Sequence, residues 1–274
     1  MPLVLPGLRS IVEDYEDFLV DLWGVIHDGV TPYEGAIDAM TRLRATGKPV
    51  VLLSNAPRRA SAAREGLREL GIGDDLYSAL MTSGEATWAA LAGRPGARVY
   101  HLGPDRDVSV FDGHDLRIVH RPRDADLLVN TGPNDAHGPS EFESYLPELA
   151  ACLDAGLPML CANPDLEVVR DGARIICAGA LAVWYEERGG RVEWIGKPYP
   201  SIYVTTLNML GVPSAQTLAI GDALRTDIAG AATAGIASCW VLGGIHAHDH
   251  PEDADREAAQ AGLSPVAAIP KFRW

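Results

Sequence analysis

Short apolar runs that alternate with helical stretches restrict the fold of this chain more than any other feature. Residues 18–22 (FLVDL), 49–53 (PVVLL), 217–220 (TLAI) and 237–241 (ASCWV) are almost wholly apolar. A strand with one wet face alternates apolar and polar residues, whereas a strand covered on both faces does not. Next to these runs the spacing becomes helical. Residues 36–45 place Ile37, Met40 and Leu43 on one face, residues 59–70 end at Gly71, and 200–210 and 224–234 read as further helices. Strand then helix, repeated, predicts an α/β fold with a parallel sheet under helices on both faces.

The middle of the chain has its own alternation. Strands are expected at 98–102, 116–120, 126–130 and 158–161, and helices near 140–155 and 178–188. Turn residues cluster near Gly84 and Trp194. The expected division is a split core, 1–83 plus 195–274, with a smaller α/β domain inserted at 84–194, within the usual size range of a domain.

Charge and cysteine usage narrow the function classes. Lysine plus arginine number 23 and aspartate plus glutamate 37, a net charge of −14. Such a chain lacks the basic face that nucleic-acid binding and docking on anionic membranes require. An anionic substrate would need a local positive site. Cys152, Cys161, Cys177 and Cys239 form no C-x-x-C pair, which predicts core thiols in a reducing compartment rather than a zinc site. Residues 1–10 show no basic start followed by an apolar run. The longest nearly apolar stretch, 175–185, falls short of the ~20 residues of a membrane span. A cytoplasmic protein with no nucleic-acid and no membrane partner is expected. The sequence leaves the oligomeric state, including a homo-oligomer, open.

Four constellations carry chemistry. Asp21 ends the first strand, where the reactive crevice of an open parallel sheet lies; it suits a nucleophile, a metal ligand or a turn residue. Ser54-Asn55 ends the second strand and suits either a phosphoryl-binding hydroxyl with free N–H groups or a helix N-cap. Lys197, in IGKPYP, is either a charge-neutralising lysine in a crevice or a surface lysine. Asp222 and Asp227, in AIGDALRTD, supply two carboxylates at one strand end, a hard oxygen site suited to Mg²⁺.

The order of these elements resembles the haloacid dehalogenase-like superfamily. The position of the insert resembles its C2-capped branch, which holds the NagD-type phosphatases. Residues 24–35 (GVIHDGVTPYEG), 162–165 (ANPD) and 178–181 (AGAL) carry the same resemblance, which spans about residues 18–243. It implies a doubly wound, Rossmann-like core with an inserted α/β C2-type cap. It further implies Asp21 as the nucleophile that takes up a phosphoryl group. Mg²⁺ would be held by Asp21, Asp222, Asp227 and the Trp23 backbone carbonyl. Ser54 would donate to a phosphoryl oxygen and Lys197 would screen the repulsion between carboxylate and phosphate. Asn55 and Arg58 would bind substrate, a small phosphorylated metabolite; Asn163 and Asp165, in the turn-prone Asn-Pro-Asp past a cap strand, either face the crevice and help to choose the substrate or only form the turn. Arg59 and Arg225 lie close in sequence to these motifs and read as solvated or as additional positive potential.

One position departs from the family pattern. Phosphatases of this superfamily usually carry a second aspartate two residues after the nucleophile, as acid and then base; here that residue is Trp23. Indole supplies only an N–H donor. His27 and Asp28 are the nearby candidates for its role, and Asp28 also reads as a plain turn residue before Gly29. Three function classes follow: a Mg²⁺-dependent phosphatase, slowed by Trp23; a binding or regulatory protein that keeps the fold without turnover; and a hydrolase of carbon–halide bonds, which needs no acid. The run 246–250 (HAHDH) reads as a solvated loop, with a transition-metal site as the alternative.

Overall fold

The computed structural model describes residues 3–134, 141–170, 173–211, 213–243 and 251–274. His246, His248 and His250 lie outside the described residues. The chain divides into two compact units. The first comprises Met1–Ser54, Arg64–Met81 and Lys197–Trp274; the second comprises Asn55–Ala63 and Thr82–Gly196.

The first unit is built on a seven-stranded sheet. From one edge to the other its strands are Leu3–Val4, Ala267–Ile269, Ala237–Val241, Thr217–Gly221, Asp17–Val20, Val50–Ser54 and Ala79–Thr82. Asp17–Val20 pairs in parallel with Thr217–Gly221 on one side and Val50–Ser54 on the other. All three strands are buried along their whole length, as their unbroken apolar runs predict. Phe18 and Val20 are fully buried. From Asp17–Val20 the chain builds outward on one side and returns to build on the other. The carboxyl ends of Asp17–Val20 and Thr217–Gly221 therefore flank the point where the winding reverses, which is where open α/β sheets open a crevice.

The second unit has a five-stranded sheet, ordered Val192–Trp194, Met159–Cys161, Leu127–Asn130, Arg98–Leu102 and Arg117–Val119. Every pair in it is parallel. An antiparallel pair, Glu167–Arg170 with Ala173–Ile176, stands apart from it. One side of the sheet packs on Tyr145, Leu149, Leu181 and Tyr185, contributed by the helices Leu146–Asp154 and Ala178–Glu187 and the turn before the first of them. Cys152, Cys161, Cys177 and Cys239 are all buried free thiols.

Two segments differ from the sequence expectation. Residues 224–234 do not form one α-helix: a π-helical turn, Leu224–Ile228, precedes a short α-helix, Ala229–Thr233. Within 140–155, a 3₁₀ turn at Phe142–Tyr145 leads into the helix, because Pro147 fits only its first turn. Among the described residues no helix is long and apolar enough to cross a membrane.

Candidate active site

Strand register assembles the first unit's site. Val20 lies opposite Ile220 and Leu52, and the Asp21 N–H continues the ladder to the Ile220 carbonyl (2.9 Å). Asp21, Ser54 and Asp222 thus emerge from three neighbouring strand ends. The π-helical turn brings Asp227 back to the same place. Its Ile228 N–H reaches the carbonyl five residues earlier, at Ala223, and π turns are frequent at functional sites. Asp21, Asp222 and Asp227, all buried, offer carboxylate oxygens within 4.8 Å of one another.

Glycines permit this crowding. A Cβ at Gly24 would lie 2.2 Å from Asp222 Oδ2, and Gly24 has φ +86°. The Trp23–Gly24 peptide therefore lies against the Asp222 carboxylate, which suits the expected backbone ligand. A Cβ at Gly221 would lie 2.2 Å from Asp227 Cβ. Behind the site, the Trp240 indole donates to the Asp222 carbonyl (2.8 Å) and is almost fully buried, so Asp222 has a packed anchor.

Lys197 is 3% exposed. Its Nζ donates to Asp21 Oδ1 (2.5 Å) and to Asp227 Oδ1 (2.7 Å). Burial followed by the neighbouring Asp227 carboxylate pushes the Asp21 carboxyl well above its usual range, with Lys197 opposing. For Lys197, burial disfavours the charge but the Asp21 and Asp227 carboxylates outweigh it, so its ammonium is held well above the ordinary lysine value. Three clustered carboxylates, two of them on the one ammonium, leave a formal surplus of two negative charges. A buried surplus of that kind is costly unless compensated. An all-oxygen donor set with two surplus charges fits a hard divalent cation. Ser54, also buried, ends its strand beside Asp21.

The loop after Asp21 folds into a turn and a tight hairpin. The Ile26 and His27 N–H groups both return to the Leu22 carbonyl, and the Tyr33 N–H pairs with the Ile26 carbonyl. Asp28 Oδ1 accepts from the Val30 and Thr31 N–H groups (2.9 and 2.7 Å). Those two backbone hydrogen bonds, that from Thr31 the stronger, hold its carboxyl below its usual range. Asp28 is the turn residue of its alternative reading. His27 Nδ1 accepts from the Gly29 N–H (2.9 Å), and its ring meets Trp23 edge-on at 5.5 Å.

The remaining expected residues belong to the second unit, except Arg225, which lies in the first. Asn55 Nδ2 donates to Asp165 Oδ1 (2.9 Å), and Asn163 Oδ1 accepts from the Asp165 N–H (2.9 Å). Asn55, Asn163 and Asp165 are thus brought together, although 110 residues separate Asn55 from Asp165. Gly179 lets the loop sit on the helix Ala178–Glu187: a Cβ there would lie 2.4 Å from the Asp165 carbonyl oxygen. Arg58 contributes its backbone carbonyl to Thr82 (2.7 Å). Arg59 is held by Glu85 (2.7 and 3.0 Å) and lies 4.1 Å over the Trp88 ring. Arg225 is exposed. The sequence places Gly24, Gly29 and Gly221 in the loops beside the site and Trp240 in the packing, but their contacts with Asp222, Trp23 and Asp227 arise only from close approaches across the fold.

Comparison with known proteins gives the family of the chain. Residues 18–117 match the family described as haloacid dehalogenase-like hydrolase, and 194–264 match the HAD-hydrolase-like family. A haloacid dehalogenase-like hydrolase of Brucella suis 1330 is 33% identical and superposes with a TM-score of 0.89, covering 98% of this chain and 100% of that one. D-glycerol 3-phosphate phosphatase of Mycobacterium tuberculosis is 29% identical, over 87% of this chain; the chain spans 66% of that relative's length. Acid sugar phosphatase of Staphylococcus aureus is 27% identical, over 85% of this chain and 89% of the relative. NagD of Escherichia coli K-12, 24% identical, shares the fold with a TM-score of 0.70 over 94% and 96% of the two chains. The chain belongs to the haloacid dehalogenase-like hydrolase family.

Proposed function

We propose that this chain is a Mg²⁺-dependent phosphatase that hydrolyses a small phosphorylated metabolite through an aspartyl phosphate at Asp21. The observation that carries the reading is Lys197 Nζ bridging Asp21 and Asp227, with Asp222 beside them. Asp21, Asp222, Asp227 and the Trp23 carbonyl would hold the metal. When bound, the cation would offset the negative charge of an incoming phosphate. Asp21 would use its free carboxylate oxygen to attack phosphorus. Lys197, fixed against that carboxylate, would lower the Coulomb cost of bringing two anions together in a buried site. The Ser54 hydroxyl would donate to a phosphoryl oxygen. The inserted segment 84–194 would act as the cap, with Asn55, Arg58, Asn163 and Asp165 on the substrate side. The named relatives, a D-glycerol 3-phosphate phosphatase and an acid sugar phosphatase, support a small phosphorylated substrate.

Trp23 favours a second reading, a binding protein of the same fold with little turnover. A carbon–halide hydrolase is disfavoured, because that chemistry has no use for a buried cluster of three carboxylates. A panel of phosphate esters with and without Mg²⁺ separates the readings. Mg²⁺-dependent phosphate release that Asp21→Asn abolishes supports the phosphatase. Mg²⁺ binding without release supports the binding protein.

A further inference from the structure

Trp23 is built into the loop. Its benzo edge rests on Gly29: a Cβ there would lie 2.1 Å from Cη2 and 2.7 Å from Cζ3, and Gly29 has φ +87°. His27 meets the indole edge-on. The loop is therefore packed around a large apolar ring two residues after Asp21, the position where the family pattern carries its acid.

The neighbouring polar groups are committed elsewhere. Asp28 is an acceptor for two backbone N–H groups. His27 Nδ1 is taken by the Gly29 N–H. Lys197 is clamped between two carboxylates. Tyr33, on the returning arm of the hairpin, keeps its proton more tightly than an ordinary phenol, through burial and then the Asp222 charge. On these contacts we assign none of them as the acid for a departing alkoxide.

We propose, on the phosphatase reading above, that Trp23 sets the substrate class: the chain cleaves acyl and aryl phosphates and spares alkyl phosphates. In the first step a P–O bond forms to the Asp21 carboxylate as the bond to the leaving oxygen breaks. The leaving oxygen takes the bonding pair and departs as a carboxylate or phenolate, which needs no proton. In the second step water attacks phosphorus, Asp21 is released as a carboxylate, and the water's protons pass to inorganic phosphate and solvent. That step also lacks a base beside the water, so phosphorylated Asp21 accumulates.

The test compares kcat/KM of the full chain with Mg²⁺ on acetyl phosphate, 4-nitrophenyl phosphate, phenyl phosphate, glycerol 3-phosphate and ribose 5-phosphate. Expected is a steep fall with rising leaving-group pKa, with the alkyl esters about a thousandfold below 4-nitrophenyl phosphate, the middle of the range that general acid catalysis supplies. Intact-mass spectra of acid-quenched enzyme should show a phosphorylated fraction at steady state. Trp23→Asp should raise alkyl turnover and remove that fraction; Trp23→Glu serves if the first variant does not fold. Alkyl and aryl esters cleaved within tenfold of one another by the natural protein would overturn the assignment and leave the phosphatase standing. Absence of Mg²⁺-dependent release from every ester would sink the phosphatase reading itself, and the assignment with it.

Discussion

The Lys197 ammonium lies 2.5 Å from the Asp21 carboxylate although 176 residues separate them in sequence. Both side chains are almost completely buried. The pair ties the start of the segment Lys197–Trp274 to the end of the strand Asp17–Val20. It also reduces the repulsion among the three carboxylates that stand there.

Removal of the ammonium should therefore be costly. Lys197→Met keeps the length of the side chain and leaves Asp21 and Asp227 without their cation. Breaking a buried ion pair by deleting one partner costs about 3–5 kcal/mol. Urea denaturation of metal-free protein should show a loss of that order, and saturating Mg²⁺ should restore part of it. An unchanged midpoint would mean that the Lys197 contacts contribute nothing to the fold.

Asp222→Asn separates metal binding from stability. The substitution removes one charge from a crowded acidic cluster and keeps the side-chain shape. Metal-free protein should be no less stable than the parent, because like-charge repulsion falls. Mg²⁺ affinity by calorimetry should drop at least about tenfold, equal to roughly 1.4 kcal/mol of lost binding. Equal affinity in the variant would place the cation elsewhere.

The core of this arrangement is legible in the sequence because it rests on long, simple signals. The unbroken apolar runs at Phe18–Val20, Val50–Leu53 and Leu218–Ile220 announce buried parallel strands, and a carboxylate or hydroxyl at the end of each marks the reactive edge. Leu3–Val4, Val192–Trp194 and Ala267–Ile269 are only two or three residues long, too short to show a period, and they pair because neighbouring strands are already in place. The helix Ser83–Leu91 is apolar on several sides and lacks a readable stripe. The Thr82 hydroxyl caps it by accepting the Glu85 N–H (2.9 Å), a signal present in the sequence but unread. The Asn55–Asp165 bond and the Gly29 seat of Trp23 are tertiary approaches. A sequence period carries no information about them.

The second unit should weaken in acid through His101. Its ring nitrogen pairs with Thr131 Oγ1 at 2.9 Å. Burial lowers its pKa from 6.5 to about 4, with Asp105 opposing. The unfolded chain binds the proton at higher pH than the folded one, so the neutral ring contributes stability above about pH 6.5. That contribution is lost as the pH falls from there to about 4. It amounts to about 2–3 kcal/mol for a ring that is not wholly buried. His27 in the first unit is lowered likewise, mainly by burial. Denaturation of the parent and of His101→Asn at about pH 7.5 and pH 4.5 should show a smaller acid loss in the variant. Parallel pH dependences would exclude His101 as a contributor.

Gly29→Ala probes the seat of Trp23 without any assay of turnover. Two penalties should appear together. The positive φ of Gly29 costs an alanine about 1 kcal/mol, and the new methyl collides with Cη2 at 2.1 Å. Relief comes only from moving the indole or the hairpin, so a total loss of about 2–3 kcal/mol is expected, in the range of overpacked sites. Trp23→Ala removes the collision but not the backbone penalty. The double variant should therefore be more stable than the two single losses predict, with a coupling of at least about 1 kcal/mol. Independent, additive losses would show that the ring does not rest on Gly29 in solution. The same cycle should be silent for Gly47→Ala, which has φ +79° but nothing within 4 Å of its Cβ; there only the backbone penalty remains, and Trp23→Ala should not alter it.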